Sequence, residues 1–138
     1  MIIDKYSEHL SFSGTFQILI QNIYAIIHVI RCFEDENILR DEGAINPIGD
    51  KEIIETELQL KDLDSVEKKI QKTQKALKIE PQLKSELEVL VRCKDHLEKG
   101  KSIRSLGLDK EEHVAIEDLF LLTEKPVLYV ANVDEASM

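Results

Sequence analysis

Long apolar runs and cysteines are both scarce in this sequence of 138 residues. No stretch of eighteen or more apolar residues occurs, so no transmembrane helix is predicted. Residues 1–6 lack a basic region followed by a long apolar core, which argues against a secretory signal. Cys32 and Cys93 are far apart in a composition typical of cytosolic proteins, so a structural disulfide is not expected. The sequence therefore predicts a cytoplasmic protein with the length of one domain and no membrane partner.

Metal-ligand spacing and basic charge are also sparse. The four histidines do not fall at the spacings of zinc sites, so no metal site is predicted. A net charge of −9 argues against a surface that holds nucleic acid by phosphate neutralisation alone. A local basic patch is nevertheless present, formed by Lys68, Lys69, Lys72, Lys75 and Lys78. This patch indicates either a solvated helix face or a contact with nucleic acid or the ribosome.

Two short apolar runs predict buried β-strands. The first covers residues 25–30 and is rich in β-branched side chains, and the second covers residues 127–131, directly after Pro126. Such runs are typical of strands covered on both faces. Ligands of open α/β sheets bind outside the carboxyl ends of the strands. Residues 132–135, which follow the second run, are therefore the first place to look for chemistry.

The segment between the two runs predicts a pair of helices. Residues 36–49 have loop chemistry, and Asp50 is the predicted cap of the first helix. Pro81 suits the first turn of the second helix, and Gly100 is a plausible terminator. Apolar residues recur every seven positions in both arms, as Leu63, Ile70 and Leu77, and as Leu83, Leu90 and Leu97. Val66 and Thr73 fill the second position of the first repeat, and Leu87 and Lys94 that of the second. Two short heptad seams with a brief connection predict an antiparallel helical hairpin.

One more helix is predicted after the hairpin. Asp109 and Glu112 have the spacing of a capping box. Ile116, Leu119 and Phe120 are apolar at positions that suit a continuing helix, so we expect this helix to extend to Leu122.

The residues after the second strand have the pattern of a base-reading motif. Many GTPases place Asn-x-x-Asp there, so that the amide lies by the base edge and the carboxylate accepts two hydrogen bonds from guanine. Here Asn132 occupies the first position, Val133 replaces a lysine, and Glu135 occupies the fourth position. An unpaired buried partner costs about 1–3 kcal/mol, so the longer carboxylate should weaken guanine preference. The alternative interpretation is an ordinary polar loop after a strand.

Longer strings of the sequence resemble the YchF/Obg-like ATPase family. The resemblance runs from about residue 25 to residue 135 and includes GKSIRSL at residues 100–106 and LLTEKPVLYVANVDE at residues 121–135. It implies an α/β fold, with a partial P-loop NTPase sheet of few parallel strands and an inserted antiparallel helical hairpin. In full-length members it also implies a TGS domain, ATP or GTP with Mg²⁺, and association with ribosomes. The base contact that it implies maps onto Asn132 and Glu135.

Some parts of the family pattern are missing. Full members have a Gly-rich loop ending in Lys-Ser/Thr that cradles phosphates and holds Mg²⁺, and no such string occurs here. Asn46 and Gly49 stand where an acidic and a basic residue are expected. Phosphoryl transfer needs the cradle, its lysine and a metal ligand. We therefore expect a central fragment or degenerate member of the family that binds nucleotide weakly or not at all and does not hydrolyse it.

These expectations divide the chain into three parts. Residues 1–49 are a partial nucleotide-binding domain, residues 50–122 the helical insertion, and residues 123–138 the return to the nucleotide-binding domain. The competing interpretation is a helical module that binds a protein partner and no nucleotide. Because the central strands that carry the phosphate cradle are missing, apolar strand residues such as Ile26, Ile30, Val127 and Val130 are expected to be exposed and to favour association between copies.

Overall fold

The computed structural model describes residues 25–32 and 46–133. The described strands are β1 (Ile26–Arg31) and β2 (Val127–Asn132), and the α-helices are α1 (Pro47–Ala76), α2 (Lys84–Glu98) and α3 (Lys110–Val114). Short 3₁₀ turns lie at Pro81–Leu83, Ile103–Ser105, Glu117–Leu119 and Leu122–Glu124. The predicted α/β class, the two strands and the helical hairpin between them are confirmed, and each strand extends one residue beyond its predicted end.

The two strands pair in parallel. Ile26 lies opposite Val127 and Arg31 opposite Asn132, so both carboxyl ends reach the same edge of the sheet. β1 is the more buried strand, since Ile26 and His28 are only 4% and 8% exposed. In β2, Leu128 is 59% exposed. The expectation of two strands covered on both faces is therefore wrong for β2, because the described residues provide only one neighbouring strand.

The chain forms two compact units. One comprises Met1–Ile54 together with Pro126–Met138, and the other is Glu55–Lys125. We call them the strand unit and the hairpin unit. The predicted three-part division at residues 49 and 122 stays a prediction.

Helix α1 begins earlier than predicted. The Asn46 side-chain oxygen accepts a hydrogen bond from Gly49 N at 3.0 Å, and the Asn46 carbonyl accepts one from Asp50 N at 2.9 Å. Asn46 is therefore the cap and Pro47 the first helical residue, a favoured pair at helix starts. The predicted cap at Asp50 is wrong, because this residue lies inside the first turn of the helix. There its negative charge is attracted to the positive end of the helix dipole.

Polar contacts define an antiparallel hairpin of α1 and α2. Thr73 donates to Glu86 over 3.3 Å, and Glu67 pairs with Lys94 over 3.0 Å. Residues earlier in α1 thus contact residues later in α2, as in an antiparallel pair. Between the helices lies an apolar core whose members include Val66, Ile70, Leu90, Cys93 and Leu97.

The prediction that Lys94 lies on the apolar heptad seam of the second helix is wrong. Cys93 is fully buried there, and Lys94 lies at the edge of the core, where it pairs with Glu67 and Glu98. A spacing of three from Leu90 to Cys93 keeps the stripe apolar, because neighbours on one helix face recur at three or four residues.

Helix α3 starts as predicted and stops early. The Asp109 side chain accepts from Glu112 N, and the Glu112 carboxylate accepts from Asp109 N, which completes the capping box. The helix ends at Val114, and Phe120 has a left-handed backbone with φ of 50°. The prediction of a helix to Leu122 is wrong because the N–H of Leu122 bonds to a side chain of α1 and not to the preceding turn.

Candidate functional site

The predicted base-reading residues lie at the carboxyl edge of the sheet. Asn132 is the last residue of β2, and its carbonyl accepts a hydrogen bond from Cys32 N at 2.8 Å. Its backbone is thus held by the residue that follows β1, while Asn132 itself is exposed. Val133 follows and is 40% exposed. Glu135 lies outside the described residues, so a base contact by these three residues stays a prediction.

Behind this edge, the strand unit has a cluster that the sequence did not suggest. The rings of His28 and Tyr129, which are opposite in register, are 5.7 Å apart between centroids and tilted by 52°. The Lys51 ammonium lies 4.7 Å from the centre of the Tyr129 ring. Cross-strand ring pairs and cation–π contacts stabilise a sheet by fractions of a kcal/mol to about 1 kcal/mol each. The cluster therefore supports the pairing of β1 with β2 and suggests no reaction.

The described residues do not form a binding site for the phosphates of a nucleotide or for the metal ion bound to them. Among residues 25–32 and 46–133, no group of three or more His, Cys, Asp or Glu side chains is arranged to hold a metal ion. The sequence has no Gly-rich loop ending in Lys-Ser/Thr. An exposed amide at Asn132 is available to a base edge, but no described residues form a cradle for phosphates or Mg²⁺. No catalytic step through ATP or Mg²⁺ follows from residues 25–32 and 46–133.

The hairpin unit has a buried carboxylate at its centre. Asp62 is 2% exposed and lies on the apolar stripe of α1, between Leu58 and Val66. Its carboxylate accepts from Leu122 N at 2.8 Å, from Thr123 N at 2.7 Å and from the Thr123 hydroxyl at 2.6 Å. Burial raises the pKa of Asp62, and the hydrogen bonds from Thr123 and Leu122 offset only part of that rise.

Thr123 continues this network to the next turn. Its hydroxyl oxygen accepts from Ile103 N at 3.0 Å, so Asp62 holds two chain segments through one neighbour. Asp62 and Thr123 are 61 positions apart in the sequence. The helical spacing of Asp62 from the apolar Leu58 and Val66 was the signal in the sequence, but its partners were too distant to identify. The arrangement is structural, because every described contact satisfies a buried polar group within the unit.

Residues 100–106 follow α2 and lie at the end of the hairpin opposite its turn. Gln59 donates to the Gly100 carbonyl and to the Ser102 hydroxyl, both at 3.2 Å. Arg104 pairs with Glu55 at 3.0 Å and donates to the Lys125 carbonyl at 3.1 Å. The string GKSIRSL, which carried part of the family resemblance, therefore ties the start of the unit to its end.

The five lysines of the predicted basic patch have different surroundings. Lys69 is only 15% exposed at its side chain, where it pairs with Asp118 at 2.5 Å and donates to the Ala115 carbonyl at 2.7 Å. Lys68 pairs with Asp64 at 2.6 Å. Lys72, Lys75 and Lys78 are exposed. The predicted single patch is wrong for Lys69, because this residue holds the segment after α3 against α1.

A cleft of about 330 Å³ opens between the start of α2 and α3. Its lining includes the acidic residues Glu86, Asp109, Glu111 and Glu112. Three of these have internal roles, since Glu86 accepts from Thr73, Asp109 caps α3, and Glu112 pairs with Arg92. The cleft therefore contains no arrangement of nucleophile, base and charge that would indicate a reaction.

Comparison with known proteins gives a consistent result. The sequence is 46% identical over 117 residues to the ribosome-binding ATPase YchF of Escherichia coli O157:H7, which covers 84% of this chain and 32% of that protein. This chain is homologous to YchF proteins. The ribosome-binding ATPase YchF of Haemophilus influenzae is 48% identical over 112 residues, covering 80% of this chain and 31% of that protein. The YchF of Bacillus subtilis is 41% identical over 117 residues, with coverage of 84% and 32%.

A solved structure supports the same relationship. The Schizosaccharomyces pombe YchF GTPase superimposes with a TM-score of 0.76 and 29% identity, covering 98% of this chain and 39% of that one. The predicted resemblance and the fold class are therefore confirmed. No family model matches the sequence. The chain spans about a third of the length of the curated YchF relatives that it matches. No described helix is long and apolar enough to cross a membrane.

Proposed function

We propose that this chain acts as a ribosome-associating segment of the YchF type and that by itself it neither hydrolyses nor tightly binds ATP or GTP. The observation that supports the first half is the hairpin unit, which has its own apolar core and its own polar network around Asp62. A unit of this kind can present a rigid surface to a partner without bound nucleotide. Relatives of this chain are named ribosome-binding ATPases. Contact with ribosomes would place the protein in the cytoplasm.

The second half of the proposal rests on the residues needed for phosphoryl transfer. Positioning of phosphates and electrostatic stabilisation account for most of that catalysis. Asn132, Val133 and Glu135 offer at most contacts to a base, and the sequence has no Gly-rich phosphate loop. ATP, GTP and Mg²⁺ are therefore ligands of full-length relatives, and this chain would have no cofactor of its own.

A second candidate is a protein-interaction module, and the exposed strand β2 favours it. Leu128 is 59% and Val130 40% exposed. Apolar faces of this kind promote association. This candidate predicts that the purified chain self-associates through its strands, as a homo-oligomer, and does not co-sediment with ribosomes.

Sedimentation of the whole chain with purified ribosomes tests the proposal. We expect co-sedimentation that is unchanged by ATP or GTP, together with hydrolysis no faster than the buffer background. Calorimetry should give nucleotide affinities in the millimolar range or no heat. The matched variant is Asn132→Ala, which should leave ribosome binding intact because Asn132 is not part of the hairpin unit.

Four results would contradict the proposal. Turnover above background would contradict the absence of hydrolysis. Micromolar nucleotide binding would contradict the expected weak affinity for ATP and GTP. Sedimentation that requires ATP, or no sedimentation at all, would remove the ribosome role and leave the interaction module.

A further inference from the structure

The negative charge of this chain is concentrated in the segment that contains α3. Residues 109–124 contain six carboxylates and one lysine, a net charge of −5, whereas the whole chain carries −9. A short segment therefore accounts for more than half of the net charge. A surface of this sign repels nucleic acid and attracts basic partners. The carboxylates of the segment are Asp109, Glu111, Glu112, Glu117, Asp118 and Glu124.

The cleft between the start of α2 and α3 combines some of these charges with an apolar lining. Its apolar residues are Leu83, Val89, Val114 and Ala115. Val89 and Ala115 are buried, whereas Val114 is 60% exposed. The cleft therefore offers apolar surface to a side chain of a partner without any opening of the core.

Carboxylates form most of the polar lining of the cleft. They belong to Glu86, Asp109, Glu111 and Glu112, and no lysine, arginine or histidine of the described residues lines the cleft. Glu86 and Glu112 already have internal cations as partners. Asp109 and Glu111 form no ion pair with any residue in the ranges 25–32 and 46–133. Two carboxylates are thus available to a cation from outside.

An apolar lining with carboxylates beside it suits an arginine side chain. The aliphatic stem of arginine packs on apolar surface, and its planar guanidinium donates to carboxylates in pairs of hydrogen bonds. The cleft volume of about 330 Å³ is at the lower end of the range of ligand pockets, roughly 300–1,000 Å³. A cleft of this size accommodates one or two side chains and not a whole helix.

We propose that this cleft binds a basic segment of a partner protein. The guanidinium of an arginine in that segment contacts Asp109 and Glu111, and an adjacent apolar side chain of the partner packs against Val114. The inference goes beyond the proposed function, because it does not depend on ribosomes or on nucleotide.

The test measures the binding of three labelled peptides of equal length to the whole chain by fluorescence anisotropy. One peptide alternates arginine and leucine, the second arginine and serine, and the third glutamate and leucine. The cleft variant combines Glu111→Gln with Val114→Ser. Both residues are exposed, and the capping box of α3 is left intact.

The control variant combines Glu57→Gln with Leu60→Ser on α1 of the same unit. It has the same spacing and the same change of charge, and Leu60, at 59%, is nearly as exposed as Val114. Circular dichroism before titration checks that both variants keep their helices.

We expect the arginine–leucine peptide to bind the wild-type chain most tightly and the glutamate–leucine peptide not to bind. The measurement uses about 0.15 M salt, at which exposed charges more than about 8 Å apart are largely screened. The cleft variant should bind the arginine–leucine peptide at least about tenfold more weakly, because a charge-assisted hydrogen bond and an apolar contact are lost together. The control variant should stay within about twofold of wild type.

Equal losses in both variants would show that the peptide responds to net charge alone and would overturn the inference. Wild-type affinity in the cleft variant, or no binding of the arginine–leucine peptide to the wild-type chain, would also overturn it.

A second copy of this chain is the alternative occupant of the cleft. Sedimentation equilibrium of the wild-type chain and the cleft variant, both without peptide, tests this alternative. We expect the same oligomeric state for both. A wild-type oligomer that dissociates in the cleft variant would assign the cleft to self-association and would overturn the inference of a separate partner protein.

Discussion

The strand unit and the hairpin unit are stabilised in different ways. In the strand unit the described contacts include a two-stranded parallel ladder and a ring cluster, and much of β2 is exposed. In the hairpin unit, apolar side chains from α1, α2 and the segment after α3 share one core. A pair of strands alone is marginal in water, whereas helices with a joint core are stable. The comparison indicates that the hairpin unit has a core of its own, whereas each described strand has one described neighbour.

Expression of residues 55–125 alone gives the strongest test of whether the hairpin unit is stable without the strand unit. We expect the fragment to unfold cooperatively with a midpoint within a few degrees of that of the whole chain, since its core and its buried network are all internal. Thermal unfolding followed by circular dichroism measures this. A fragment without a cooperative transition would show that the hairpin needs the strands.

The next largest effect is expected at Asp62. Asp62→Asn should destabilise the chain by about 2 kcal/mol, because an amide nitrogen replaces an acceptor and leaves a buried N–H of Thr123 without a partner. Asp64→Asn is the control, and it should change stability by less than about 0.5 kcal/mol because Asp64 forms an exposed ion pair. Urea unfolding of both variants provides the comparison, and equal effects would contradict a central role for Asp62.

The pH dependence of the Asp62 effect has a defined sign. Because the pKa of Asp62 is raised by burial, the folded chain binds a proton more readily than the unfolded chain. The stability contributed by this group is therefore greatest below the ordinary aspartate pKa and is lost as the pH rises through the raised value. The gap between wild type and Asp62→Asn should be widest at acidic pH and should narrow towards neutral pH. A gap that widens with pH would contradict this assignment.

The two cysteines, one in each unit, are expected to differ in reactivity. Cys93 is fully buried, and burial raises the pKa of its thiol to about 11. This lowers its thiolate fraction about a hundredfold relative to an ordinary thiol. Cys32 is partly exposed. A thiol reagent should therefore label one cysteine rapidly in the native chain and two in denaturant, and Cys32→Ser should abolish the fast phase.

The smallest effect is expected where α2 ends. Gly100 has φ of +70°, a conformation that costs a residue with a Cβ about 1 kcal/mol. Gly100→Ala should lower stability by that amount, since no atom lies within 4 Å of the added methyl. Lys99→Ala, one residue earlier, should be close to neutral. Equal unfolding midpoints for Gly100→Ala and wild type would show that the turn can relax.

Local sequence signals predicted much of the fold. Short apolar runs identified both strands, the residues around Pro81 identified the hairpin turn, and Asp109 with Glu112 identified a capping box. One error occurred where a distant partner overrides a local pattern. The helix expected to extend to Leu122 stops because the Asp62 carboxylate, sixty positions away, takes its N–H. The base-reading site was predicted from one motif, and only Asn132 and Val133 of it lie among the described residues.

Sequence alone determined the order of strands and helices and the antiparallel hairpin, since each depends on residues within a turn or a heptad of one another. It also determined the relationship to YchF proteins, through matching strings along residues 25–135. Tertiary structure determined which charges have an internal partner. Lys69 and Lys72 are alike in sequence, yet Lys69 is held by Asp118, 49 positions away, and Lys72 is exposed. The physical reason is that the cost of burying a charge is set by its neighbours in space. A pattern of lysines therefore predicts a basic face, and only the packing of α1 against the segment after α3 shows which lysines remain available to a partner.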